Sequence, residues 1–166
     1  MGYISKNREL MIILYNTVYS FRFVLFFGIA IISRVIFQPL PSVDPLLPIL
    51  FLVGSSLKWR KALFFGSSTY WTSNFFVVGG QGWWSIPMAL GGGLVCFCGV
   101  IFKNYKLVGI IVATLIYEII VSGSWCLLFG FSSLWANVAF AIIHLVSNVL
   151  FLKGGLTLWE KVGRYF

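Results

Sequence analysis

Charge is what this chain has least of. Of its 166 residues, 10% are Asp, Glu, Lys or Arg, and only four are acidic. A soluble domain carries about 25% charged residues. With 60% hydrophobic residues, a soluble globule of this size would lack the polar surface to cover its apolar interior. A mean hydropathy of +0.96 excludes disorder as well. Cysteine is scarce and odd in number. Cys96, Cys98 and Cys126 all lie in apolar runs, so a disulfide framework is not expected and the thiols read as small packing residues. The single histidine is far from them in sequence, so no metal site and no cofactor is expected. There is no G-x-x-x-x-G-K-[ST], which excludes ATP binding in the P-loop manner. The first apolar run lacks a small-x-small exit, so no cleavable leader is expected.

What the chain has instead is long apolar stretches. Backbone in lipid must satisfy its own hydrogen bonds, which leaves helices or a closed barrel. The runs do not alternate, which favours helices. Six stand out: residues 10–37 (interrupted by Arg22 and Arg34), 46–57 (containing Pro48), 62–78, 83–102, 107–129 and 134–152. A bilayer core of about 30 Å takes about 20 helical residues. Four runs fit; the first is too long and the second too short. The expectation is one all-α membrane domain over residues 1–166, a bundle of six transmembrane helices. Residues 1–14 would form an interfacial or cytoplasmic segment, and the second helix would be short, tilted or broken at its proline.

Charge then orients the bundle. Lys58, Arg60 and Lys61 lie between runs two and three, and Lys103 and Lys106 between four and five. Lys6 and Arg8 precede run one; Lys153, Lys161 and Arg164 follow run six. These are ten of the twelve basic residues, and the connections 38–45, 78–82 and 130–133 hold none. The positive-inside rule places the basic side, and with it both termini, in the cytoplasm, the bundle being a multi-pass protein of the plasma membrane. The net charge of +8 thus reads as an orientation signal, and no nucleic-acid partner is expected. The same basic loops are also suited to docking a cytoplasmic protein.

Polar residues inside apolar runs are expensive and therefore informative. Glu118 lies about 18 Å along run five, counted from Lys106 at about 1.5 Å per residue. Thr114, Glu118, Ser122 and Trp125 share a helical face; so do Asn137, Ala141, His144 and Asn148 in run six, and Ser67, Tyr70, Trp71 and Asn74 in run three. Three such stripes are best placed facing one another. Interhelical glue accounts for Asn137 and Asn148. A lone carboxylate such as Glu118 has to protonate or find a partner, and His144 is the candidate. Arg34 is positioned to pair with Asp44, the only acid in the connections opposite the basic side, whereas Arg22 snorkels toward the cytoplasmic interface. The segment Gly79-Gly80-Gln81-Gly82-Trp83-Trp84-Ser85 is a tight aromatic connection, readable either as an interfacial belt or as a lid over a ligand. The glycines of run four, Gly91, Gly92, Gly93 and Gly99, read as close helix packing.

In order along the chain stand Arg34, the Pro-rich stretch from Pro39 to Pro45, Gly54, Gly66, Ser73-Asn74-Phe75-Phe76, and Gly80-Gln81-Gly82-Trp83-Trp84-Ser85. His144 and Asn148 follow four residues apart, and a basic tail carries Lys161 and Arg164. Over about residues 20–166 this order resembles the S components of energy-coupling factor (ECF) transporters. The family's Pro and Thr on either side of its Trp are here Trp83 and Ser85. Its Ala-x-x-x-Ala docking patch on the first helix is here a segment with Gly28, Ala30 and Ser33 at a different spacing. The resemblance implies a substrate-capture subunit that binds a vitamin or related small molecule in the outer half of the bundle. It also implies two kinds of partner, a membrane coupling (T) subunit and two cytoplasmic ATPases.

The substrate-binding candidates are therefore Arg34, Asp44, Asn74, Gln81, Trp83, Trp84, Glu118, Trp125, His144 and Asn148. The site would be walled by runs four, five and six and covered by the connections 38–45 and 130–133, with Gln81, Trp83 and Trp84 as part of the lid, Trp125 a side wall and Glu118 the floor. Their aromatic, mostly uncharged character suits a flat heterocycle, and no catalytic residue is expected. Two other readings remain open at this point. One is a small assembly or interaction protein without a ligand. The other is an intramembrane hydrolase using Ser67 or Ser68 with His144 as base.

Overall fold

A computed structural model describes residues 21 and 23–163, which form six helices and, among the described residues, no strand. They are α1 (Phe23–Phe37), α2 (Leu46–Gly54), α3 (Trp59–Ser73), α4 (Ser85–Ile101), α5 (Lys106–Phe129) and α6 (Ser132–Gly163). Lys6, Arg8, Arg22 and Arg164, and the expected segment 1–14, lie outside the described residues.

Two helical stretches are long and apolar enough to cross a membrane: α5, with 24 residues and mean hydropathy 2.0, and Asn137–Thr157 of α6, with 21 residues and mean hydropathy 1.7. The other helices are shorter. At about 1.5 Å per residue, the nine residues of α2 reach about 14 Å, under half of a bilayer core of about 30 Å. Several helix limits differ from the apolar runs. α3 starts at Trp59, inside the basic cluster, because the extended backbone of Lys58 ends the preceding connection there. It stops at Ser73, after which residues 74–76 turn and the chain passes through Gly79 and Gly80 at φ 98° and 58°, which a side chain would resist.

Pro48 does not break α2. It is the third residue of that helix, where the backbone N–H has no intrahelical acceptor and its loss costs nothing. Pro87 holds the same position in α4. Ahead of α2, Asp44 Oδ1 accepts the Leu46 N–H at 3.0 Å and satisfies one of the orphan donors of that helix start.

α2 is the centre of the fold: Leu46, Leu47, Leu50 and Phe51 are fully buried. α4 crosses it, and α3 packs along α4. Glycine makes both contacts possible. A Cβ on Gly54 would strike the Cys96 carbonyl, one on Gly66 the Gly92 carbonyl, and one on Gly99 the Phe51 carbonyl. Backbone thus lies on backbone across α2–α4 and α3–α4, the arrangement that small residues permit between apolar helices. α5 and α6 close the bundle, with most of their apolar surface facing outward. The connections 55–58 and 102–105 put Lys58 and Lys103 at one end; the connections 38–45, 74–84 and 130–131, without Lys or Arg, mark the other.

Candidate functional site

Two polar knots hold the helices together, the first near the end that lacks basic residues and the second at mid-length of α5 and α6. The first is centred on Arg34, near the end of α1. Its Nη1 donates to Asn74 Oδ1 at 2.7 Å and to Ser73 Oγ, both at the end of α3. Its Nε faces Asp44 Oδ2 at 3.7 Å. The guanidinium lies over the Tyr70 ring, 4.7 Å from the centroid, and the Tyr70 hydroxyl donates to Asp44 Oδ2 at 2.6 Å. A charge that is 12% exposed is thereby compensated three ways: by an anion, by neutral acceptors and by a ring face. Asp44 serves twice, since its other oxygen starts α2.

The second knot joins α5 to α6. His144 Nδ1 and Glu118 Oε1 share a hydrogen bond of 2.5 Å, and Ser122 Oγ donates to Glu118 Oε2 at 3.3 Å. One helical turn along α6, Asn148 Nδ2 donates to Thr114 Oγ1 at 3.0 Å, and the Thr114 hydroxyl donates to the Ile110 carbonyl. Tyr117 links the two knots. Its ring is 5.3 Å from Tyr70 and 5.6 Å from His144.

Between the knots is a cavity of about 320 Å³. Arg34 and Gln38 of the α1 end, residues 40–44, Val77 and Val78, Met88, Tyr117, Val121 and His144 line it. The 40–44 loop is bent over the cavity by Ser42, whose φ of 58° is left-handed, and Ser147 Oγ of α6 lies 3.3 Å from its carbonyl oxygen. Asn74 Nδ2 and Asn148 Oδ1, off the cavity, have no partner among the described residues, and on the cavity wall itself two polar atoms lack a strong one. His144 Nε2 has no partner among the described residues, although the side chain is only 8% exposed. Arg34 Nη2 meets only the Met88 thioether, at 3.6 Å.

Of the candidates drawn from the sequence, Arg34, Asp44 and His144 line this cavity. Glu118 stands behind His144 and Asn74 behind Arg34, each holding the residue that reaches the cavity. Asn148 acts on α5 through Thr114 and is not part of the lining. Gln81, Trp83, Trp84 and Trp125 are not brought there either. Trp83 packs against Trp84, Trp125 and Phe129, with centroids 6.1, 4.8 and 6.1 Å away. Trp84 Nε1 donates to the Gly80 carbonyl, and Gln81 Nε2 to the Trp71 carbonyl, so the aromatic segment closes on itself and on the end of α5. The cover over the cavity comes from residues 40–43 of the 38–45 connection, with Val77 and Val78 at its side. Val77 and Val78 carry no chemical signature in an apolar run, whereas the proline-rich 38–45 connection was expected to cover the site.

The serine–histidine pairing does not form. Ser67 and Ser68 line a separate groove with Phe64, Trp71, Thr72 and Ala89, and His144 is committed to Glu118. On α1, Ala30 is fully buried and receives a hydrogen bond from Ser33 at its carbonyl, while a Cβ on Gly28 would meet nothing within 4 Å. The three small residues therefore do not present one face. Comparison of the chain with known families, characterised proteins and solved structures finds no match.

Proposed function

We propose that the chain is the substrate-capture subunit of an ECF-type importer, a six-span protein of the plasma membrane with both termini in the cytoplasm. It would take a small molecule from outside and hand it to a membrane coupling subunit driven by two cytoplasmic ATPases. The observation that carries this reading is the 320 Å³ cavity, with a buried histidine nitrogen left unpaired on its wall. A polar atom buried without a partner costs about 1–3 kcal/mol, a cost that a ligand removes on binding. The cavity also opens among the connections free of Lys and Arg, the side that the positive-inside rule assigns to the exterior.

The partner module follows from the order of motifs shared with the S components and from the missing P-loop. The test is mass spectrometry of small molecules that co-purify with the protein, together with co-expression with ECF coupling subunits and ATPases. A bound compound and a stable complex are expected. A chain that retains no small molecule and joins no such module would be an assembly protein instead. Single-cysteine labelling checks the orientation: position 60 should be inaccessible from outside and position 80 accessible.

A further inference from the structure

The two spare atoms of the cavity specify more than its location. We infer that it takes a neutral, compact ring compound carrying both a carbonyl-type acceptor and an N–H donor, that is, a cyclic amide or urea. This rests on the substrate-capture reading and narrows the substrate class.

Arg34 supplies the first half of the complement. Its Nη1 is engaged by Ser73 and Asn74, and its Nε faces Asp44. Nη2 meets only a thioether, which is a weak acceptor. A ligand oxygen placed there would give that N–H its first strong partner. His144 supplies the second half. Glu118 holds the Nδ1 side, and with Glu118 as a carboxylate the Nδ1 proton points to it. If the ring carries only that Nδ1 proton, Nε2 is a lone pair on the cavity wall, unpaired among the described residues, and an N–H of the ligand is its natural partner.

Charge balance sets the ligand's charge. The cavity has one permanent cation on its wall, Arg34, and Asp44 beside it already offsets that charge. Glu118 adds a second carboxylate behind His144. No surplus positive charge remains to compensate a carboxylate or phosphate brought out of water. Asp44 accepts from Leu46 N–H and from the Tyr70 hydroxyl, and Glu118, which is not part of the lining, is engaged by His144 and Ser122, so neither carboxylate is free to hold a ligand cation. Size sets the rest. At about 30 Å³ per water, the cavity has the volume of about ten waters, which suits one or two fused rings. Leu40, Val43, Val77 and Val121 provide apolar walls, and the Tyr117 ring a flat one.

The experiment measures binding to the full chain in lipid nanodiscs. The probes are uracil, hypoxanthine and ethyleneurea, compared with 1,3-dimethyluracil, which lacks the N–H, and orotate, which adds a carboxylate. At least one of the first three should bind, and uracil should exceed 1,3-dimethyluracil and orotate by about tenfold or more. In the Glu118→Gln, His144→Leu double variant, which leaves no carboxylate behind, the preference for uracil over 1,3-dimethyluracil should fall below about threefold. Equal or tighter binding of 1,3-dimethyluracil or orotate by the unmodified chain overturns the inference, and so does the absence of binding by all three amides and ureas. If a co-purifying compound proves to be charged or to lack an N–H, the inference fails while the substrate-capture reading stands. If nothing co-purifies and no probe binds, both fail.

Discussion

The α2–α3–α4 side of the bundle and the α5–α6 side are held together by opposite means. On the first, side chains have been removed: Gly54, Gly66 and Gly99 let backbone rest on a neighbour's carbonyl, and nothing larger fits. On the second, side chains have been added: Glu118 reaches His144 and Asn148 reaches Thr114 across the helix pair. A contact made by absence is specific in shape but has no spare chemistry. A contact made by polar side chains leaves atoms over, and one of them, His144 Nε2, is on the cavity wall. The bundle thus has a stiff wall and a chemically versatile one, with Arg34 pinning α1 to the stiff wall beside the cavity.

This contrast can be broken in five places. Arg34→Ala should be the most damaging, because it leaves Asp44 buried without its cation and removes the donor to Ser73 and Asn74. Losing one member of a buried pair costs about 3–5 kcal/mol. Thermal unfolding of the purified protein should show it, and the Arg34→Met, Asp44→Asn double variant should recover much of the loss. A loss below about 1 kcal/mol would place the pair among solvent-screened ones.

Gly66→Ala should cost about 1–3 kcal/mol by overpacking against the Gly92 carbonyl. Gly123→Ala, on the α5 side, meets nothing within 4 Å and should stabilise its helix by about 0.5–1 kcal/mol. Equal responses from these two glycines, measured in the same unfolding assay, would erase the distinction between the walls. Trp83→Ala should cost about 1 kcal/mol in aromatic contacts and leave ligand retention unchanged, since the Trp83 cluster is off the cavity. A large loss of bound ligand would restore Trp83 to the site. Smallest is Asn148→Leu, at about 0.6 kcal/mol, the usual worth of an interhelical hydrogen bond in lipid.

How much of this was legible in the sequence depended on charge. Arg34 with Asp44, and Glu118 with His144, could be paired from residue order alone, because an ion in an apolar run must find a counterpart and candidates were few. Asn74 and Asn148 stood on polar stripes but meet different partners, Arg34 and Thr114, which spacing cannot distinguish. The tryptophans were ambiguous because a belt, a lid and a packed aromatic cluster share one composition; in the structure Trp83 packs against Trp84 and Trp125. Tyr117, Val121 and Met88 were invisible because an aromatic or apolar residue in an apolar run has no periodic mark of its own. Helix limits failed where apolar residues continue past a turn, as at 74–78, or where a basic cluster is already helical, as at Trp59.

The Arg34 knot also imposes an order of assembly. Its strong partners are at positions 44, 73 and 74, so the nascent chain exposes Arg34 some forty residues before Ser73 and Asn74 are synthesised. On the membrane reading, a guanidinium without them disfavours a settled first helix by up to about 2.5–3.5 kcal/mol, depending on depth. Synthesis of the third helix then acts as a release signal for the first. Arrested chains of increasing length should show this as a step: a cysteine at the neighbouring position 33, with Arg34 intact, remains labelled by an aqueous probe until Asn74 has cleared the ribosome, and a gradual loss of labelling from the start would contradict it.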